Sequence, residues 1–330
     1  MPFIKDIIKH RSLSIVGLEK NTGKTVCLNY VLRRLHEEGV PVAVTSIGVD
    51  GEQTDSVFAT AKPEIVLYEG MRFITSERHY LGRRLVSRLL DVDAQRTSLG
   101  HLVTGEVLCQ GKVLLSGAAT TGKLRQQIAQ FDRLVIVDGA LSRLSLASPT
   151  VTDAMVLATG AAVSPNVQQL ISKTRFLYRL INLEPTAVDV EGIEQGLWGI
   201  DSDGVAHDLG IASVFLLGRQ GEDNLFRYGT TLFASGAVSD RLLKYLIAQQ
   251  QQTTLIVRDF TKLFITPEVY AEYTKRGGRL QVLQRSRLVA VTLNPTSPTG
   301  YRLNSRQACD ALSEALQMPV YDVMDPTLNR

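Results

Sequence analysis

The chain has 330 residues, 44% of them hydrophobic, with 36 Lys and Arg against 33 Asp and Glu for a formal net charge of +3. Length and apolar content allow a large core or two, so two lobes are expected. The dispersed basic residues form neither a basic stripe nor an aromatic platform, which argues against nucleic acid as a partner. Cys27, Cys109 and Cys309 stand far apart without a Cys-x-x-Cys pair, giving no sign of a disulfide framework or a zinc site, and a reducing cytoplasm is the expected compartment. The stretch 1–11 has no signal-like apolar region and no apolar run approaches transmembrane length, so no membrane partner is expected.

Residues 13–16 form the first clear element, a short apolar strand that runs into Gly17-Leu18-Glu19-Lys20-Asn21-Thr22-Gly23-Lys24-Thr25, where a helix starts. A strand-to-helix turn aims several backbone N–H groups at one point, and the helix dipole favours negative charge there. Gly23 supplies the dihedral freedom for close approach, Lys24 reaches β- and γ-phosphates, and the Thr25 hydroxyl ligates magnesium. Gly17, Glu19, Lys20, Asn21, Thr22, Gly23, Lys24, Thr25 and Val26 are therefore the expected ATP-binding residues, with Mg2+ as the accompanying ion. Five residues rather than four separate the two glycines, so Leu18 stands where the common P-loop pattern has its first glycine. In the helix over 26–38, Leu28, Val31, Leu32 and Leu35 keep helical spacing before Gly39.

The strand over 42–47 leads into Gly48-Val49-Asp50-Gly51-Glu52. A loop at that sheet edge faces a bound γ-phosphate. Lys24, Asp50 and Glu52 are thus the catalytic candidates, the acids holding magnesium or orienting the attacking water. A glycine turn with solvated acids is an equal alternative for the last two. Over 78–88 the spacing of Leu81, Leu85 and Leu89 predicts a surface helix with a solvated basic face, an acidic partner surface being the lesser alternative. After a strand at 112–116, Gly117-Ala118-Ala119-Thr120-Thr121-Gly122-Lys123 has P-loop spacing, but Leu124 offers no hydroxyl to magnesium, so a plain strand-to-helix loop is expected. Residues 134–137 are four apolar residues ending in Asp138, the pattern by which a buried strand presents a carboxylate to magnesium; Asp138 joins Thr25 as the metal pair. With a further strand at 155–158, the alternation predicts a parallel sheet.

Between residues 183 and 208 the texture changes. Gly196-Leu197-Trp198-Gly199-Ile200, the turn Asp201-Ser202-Asp203-Gly204, then Val205 and Ala206 predict a β-hairpin with Trp198 packed on a core, a ligand-facing Trp198 being the lesser alternative. A second series follows: strands at 214–217, 232–235, 255–257, 280–283 and 288–293, helices at 240–249, 267–275 and 305–316, and a last strand at 319–323. The polar turn Asn294-Pro295-Thr296-Ser297-Pro298-Thr299-Gly300-Tyr301 is expected to be structural more than base-lining. No Asn-Lys-x-Asp guanine-reading motif occurs, which favours ATP over GTP. The expected fold class is α/β, a P-loop NTPase with a mostly parallel sheet and a second, smaller α/β domain. The expected boundary separates a nucleotide-binding domain, 1–185, from a partner or substrate domain, 186–330.

The loop 17–25, with its acid at Glu19, resembles that of dethiobiotin synthetase, a member of the P-loop class that often works as symmetric dimers; a homodimer is one assembly this implies. A broader resemblance is to the ATPase subunit of the lysine 5,6-aminomutase reactivase. It is carried by Gly17 to Thr25, by Thr45-Ser46-Ile47-Gly48 with Asp50-Gly51-Glu52, by Val137-Asp138-Gly139-Ala140 with Arg143, and by Leu157-Ala158-Thr159-Gly160-Ala161. Weaker similarity lies at 257–262 and 294–301. The resemblance implies an ATP-driven helper that exchanges the damaged cofactor of an adenosylcobalamin-dependent aminomutase, acting with a second reactivase subunit. The competing class is an ATP-dependent small-molecule ligase or kinase of the dethiobiotin synthetase type, which would not need a second α/β lobe of this size. A nucleotide-binding regulator without useful turnover is a third.

Overall fold

A computed structural model describes residues 2–47, 64–138, 147–190, 192–212 and 225–325. The chain divides into two compact units, Met1–Arg175 together with Arg287–Arg330, and Phe176–Ser286. The first unit opens with α1 (Phe3–Ile7), β1 (Ser12–Gly17), α2 (Lys24–Glu37), β2 (Val42–Ser46), β3 (Ile65–Leu67), β4 (Arg72–Ser76) and α3 (Glu77–Leu81). It continues through β5 (Arg84–Thr97), β6 (Gly100–Val113), α4 (Thr121–Gln130), β7 (Leu134–Asp138) and β8 (Ala154–Gly160) into α5 (Val167–Ile181), within which the second unit begins. The second unit holds β9 (Leu197–Ile200), β10 (Ala206–Ile211), β11 (Thr231–Ala234), β12 (Val238–Ser239), α6 (Asp240–Ala248), β13 (Thr254–Val257), β14 (Leu263–Phe264), α7 (Pro267–Lys275) and β15 (Arg279–Val282). Back in the first unit lie β16 (Leu288–Asn294), α8 (Ser305–Leu316) and β17 (Val320–Tyr321).

Among the described residues, the first unit is built on a 10-stranded sheet in the order β17, β16, β8, β1, β7, β2, β4, β6, β3, with β5 also on β6. From β17 to β4 every neighbouring pair is parallel, while β3, β4 and β5 all run antiparallel to β6. The chain is thus an α/β protein with a large, mostly parallel mixed sheet and further smaller sheets. All six residues of β1 and all seven of β8 are buried, which is why these segments are mostly apolar, and their buried hydroxyls, Ser12, Ser14 and Thr159, are each hydrogen-bonded; strands covered on both faces need no polar side. On one face α2 sets Leu28, Val31, Leu32 and Leu35 against Leu13, Ile15, Val44, Ile136 and Val156. Each such fully buried side chain contributes about 1.5–3 kcal/mol relative to exposure. Strand alternation turns Thr159 of β8 to the other face, where it exchanges a 3.0 Å hydrogen bond with Thr174 of α5.

The second unit carries a five-stranded sheet in the order β10, β9, β11, β13, β15, its last three strands parallel. Its core gathers Val190, Ile200, Phe233 and Ile256. The predicted hairpin is β9 paired antiparallel with β10, and Trp198 packs against that core while its Nε1–H donates to the Gln195 carbonyl at 2.8 Å.

Two expectations are corrected. A second domain running to 330 is not what forms: β16 is an apolar strand that pairs with β8 on one side and β17 on the other, so the chain after Ser286 returns to the first sheet. The helix expected over 78–88 stops at Leu81, and Arg84 begins β5, because the long antiparallel ladder with β6 outweighs a local leucine spacing that suits a helix equally well. The strand expected at 112–116 is the tail of β6, ending at Val113, and the one expected at 214–217 lies outside the described residues. Among the described residues, no helix is long and apolar enough to cross a membrane.

Candidate functional site

Chain order reverses at β1. The chain leaves β1 through α2 to β2, later slots β7 between those two strands, and then lays β8 on the opposite side of β1. In open α/β sheets such a reversal parts the loops at the carboxyl edge and leaves a crevice there. The loop over 18–23 leaves β1 at that edge.

Its backbone is wound tightly. A Cβ on Gly17 would lie 2.5 Å from Thr22 Oγ1 and 3.1 Å from the Glu19 carbonyl oxygen, so a side chain there would have to displace the Thr22 hydroxyl and crowd the loop backbone. Thr22 is buried, and its hydroxyl donates to the Glu19 carbonyl at 2.9 Å. Leu18 N–H donates to the Ala158 carbonyl of β8 at 2.9 Å, tying the loop to the neighbouring strand. Asn21 (φ 61°) and Gly23 (φ 88°) both take the left-handed conformation, which in a turn curves successive N–H groups into an anion-sized concavity.

Among the described residues α2 begins on Gly23 with no side-chain cap, as α1, α6 and α7 also do on Pro2, Ser239 and Thr266, whereas α3, α4 and α8 begin on Ser76, Thr120 and Asn304, whose side chains each accept a backbone N–H; of the uncapped starts, that of α2 is the one that follows a glycine-bounded loop. An uncapped N-terminus keeps its dipole and its backbone donors for an external anion. The buried Nδ2 of Asn21 has no hydrogen-bond partner among the described residues, an omission that costs about 1–3 kcal/mol and that an acceptor oxygen of a ligand would relieve. Cradle, uncapped helix and orphaned donor all fit a polyphosphate.

Lys24 and Thr25 are the first two residues of α2, half-buried, and Val26 follows them; Lys20 is exposed on the loop. Glu19 turns to α5, where Lys173 Nζ donates to its Oε1 at 3.0 Å and to the Val163 carbonyl at 3.2 Å. Asp138 ends β7, level with Ile15 of β1 and Ser46 of β2. It shares a face with Leu134 and Ile136, which pack in the core beneath α2, so alternation puts Asp138 on the side of the sheet where Thr25 opens the helix. Asp50 and Glu52 lie outside the described residues, as do Gly48, Gly139, Ala140 and Arg143.

The other glycine-lysine segment is the plain strand-to-helix connection expected. A Cβ on Gly117 would fall 1.6 Å from the Ser46 carbonyl oxygen, so this backbone is pressed against the end of β2, and the Thr120 side chain caps α4 by accepting from Lys123 N–H.

Comparison with protein-family models, with curated proteins and with solved structures found no match for this chain.

Two residues join the site that the sequence did not assign to it. Asn294, at the end of β16, donates from Nδ2 to the Asn21 carbonyl at 3.3 Å, and its Cβ stands where a Cβ on Gly23 would come within 2.8 Å. The turn after it is patterned in the sequence, but nothing there reveals this contact. Lys173 carries no local signal at all. Next to them, Cys27 in the first turn of α2 has its thiol pushed up to about 12 by burial, against a hydrogen bond with Thr292 that acts the other way.

Proposed function

We propose that this protein is a magnesium-dependent ATPase of the P-loop class, binding ATP at Gly17 to Val26, and that it serves as the ATPase subunit of a reactivating factor. In that role it helps a cobalamin-dependent aminomutase exchange damaged cofactor, together with a second reactivase subunit in the cytoplasm. The observation that carries the nucleotide reading is the glycine-bounded loop and uncapped start of α2 at the point where chain order reverses, with the Asp138 carboxylate at the end of the adjacent strand. The reactivase role rests on the sequence resemblance.

Within this reading the loop N–H groups and Lys24 bind the phosphates, Gly17 and Gly23 allow the backbone to approach, and Asn21 donates to a phosphate oxygen from Nδ2. Thr25 and Asp138 offer the one or two protein oxygens that magnesium carried by a polyphosphate needs. When bound, the metal neutralises phosphate charge. Asp50 and Glu52 keep their assignment as the acids that hold magnesium or orient the attacking water. Glu19, held by Lys173, fixes the loop to α5.

Turnover is the test. Lys24→Ala should lower kcat/KM for ATP by roughly a hundredfold or more, the usual effect of deleting one preorganised charge-stabilising donor, with circular dichroism unchanged. Hydrolysis that survives the substitution would place the site elsewhere. A rate raised by a carboxylated small metabolite and indifferent to an aminomutase would instead favour the ligase or kinase class.

A further inference from the structure

A 14-residue strand, β5, lies at the edge of the large sheet. Among the described residues it pairs with β6 alone. An edge of this length presents a row of unpaired backbone donors and acceptors, which proteins blunt or cover. Here the side chains add apolar surface: Val86, Leu89, Leu90 and Val92 of β5 and Leu108 of β6 are all exposed. The register against β6 shifts four times, between Arg84 and Val86, Val86 and Ser87, Leu89 and Asp91, and Val92 and Arg96, which leaves 87–89 and 91–92 as the regular stretches around the centre; there both Leu89, 52% exposed, and Leu90, 39%, face water.

Charge is segregated around this apolar centre. Arg84 and Arg88 precede it, while Asp91 and Asp93 follow it. Arg88 also bonds Glu106 of β6 at 2.9 Å, and Asp93 pairs with Lys123 at 3.8 Å. A second β5 laid antiparallel about a two-fold axis at the leucines joins the two apolar centres. It also sets the basic half of each strand along the acidic half of the other, Arg88 against Asp91 twice. Arg96 falls beyond the overlapping stretch. A parallel arrangement would set like charge on like. The sign change is therefore self-complementary under two-fold symmetry, which makes a second copy of this chain the occupant.

We infer that the protein forms a symmetric dimer through β5, with the large sheets of two copies meeting edge to edge. The inference is independent of the nucleotide reading, since no residue of the loop over 17–26 takes part.

Sedimentation of the full chain over a concentration series tests it, with two single variants whose exposed positions leave the core untouched. Wild-type protein should be dimeric. Arg88→Glu and Asp91→Arg should each raise the dimer dissociation constant by about tenfold or more, because two attractive pairs become repulsive. Mixed in equal amounts, the two variants should recover a dimer. The introduced glutamate of one copy then faces the introduced arginine of the other, while the native Asp91 of the first faces the native Arg88 of the second. A wild-type monomer throughout, a dimer unaffected by either substitution, or variants that stay monomeric when mixed would each overturn the proposal.

Discussion

Cys27 sits where two influences oppose. A thiol in the first turn of a helix is normally acidified by the dipole, yet this one is 1% exposed and burial holds it near 12. Burial likewise takes Cys309 to about 12, while Cys109 is exposed on β6. Titration of the native protein with a thiol reagent should therefore register fast reaction at Cys109 alone, with Cys27 and Cys309 responding only after denaturation; rapid native modification of Cys27 would mean that the first turn of α2 opens readily. At this scale the sequence is legible wherever the requirement is local. Gly17 and Gly23 are forced by close approach and a left-handed backbone, and both stand out in the bare motif. Glu19 reads as a ligand residue because nothing near it in sequence discloses Lys173, its partner 154 residues away.

Among the elements, the β9–β10 hairpin shows how one carboxylate can hold a turn. Asp201 accepts from the N–H groups of Asp203 and Val205 at 3.0 and 2.9 Å and from His207 at 2.6 Å. The His207 hydrogen bond first, and the Val205 N–H next, hold its carboxyl below the usual range. A folded-state value below the unfolded one means that this contribution is present above the ordinary Asp value of about 3.9 and fades as pH falls through the lowered value. Amide protection at Val205 should decline below about pH 4 in wild type, and Asp201→Asn should remove that dependence. Protection insensitive to acid would show that the turn stands without the carboxylate. The hairpin is readable because Asp-Ser-Asp-Gly between apolar runs is local turn chemistry. β5 is not: Leu81, Leu85 and Leu89 keep a spacing of four that fits a helix, and the deciding ladder with β6 is non-local. The sharper signals are Gly82 directly after Leu81 and Gly100, φ 94°, at the far turn.

For the molecule as a whole, the second unit is an insertion between β8 and β16, strands that are neighbours in the first sheet. Reading along the sequence cannot find this, since β16 looks like one more strand of the series before it and only its pairing assigns it to the first unit. Deleting everything after Ser286 should cost far more than a domain tail would. β8 would lose one of its two parallel partners, β16, and Asn21 its contact with Asn294. Such a chain should lack a cooperative thermal transition for the first unit and fail to retain ATP, as read by calorimetry and nucleotide binding; a cooperative, nucleotide-binding truncation would refute the shared sheet as a requirement.

The hydrogen bond between Asn294 and Asn21 spans 273 residues. On a ribosome adding about 5–20 residues per second, the loop after β1 emerges roughly 14–55 s before the asparagine that braces it. The inserted unit, by contrast, has all its strands in hand before β16 leaves the exit tunnel. Synthesis thus makes the loop first and completes it last, so that a nascent chain holds an unbraced cradle until its final strands arrive.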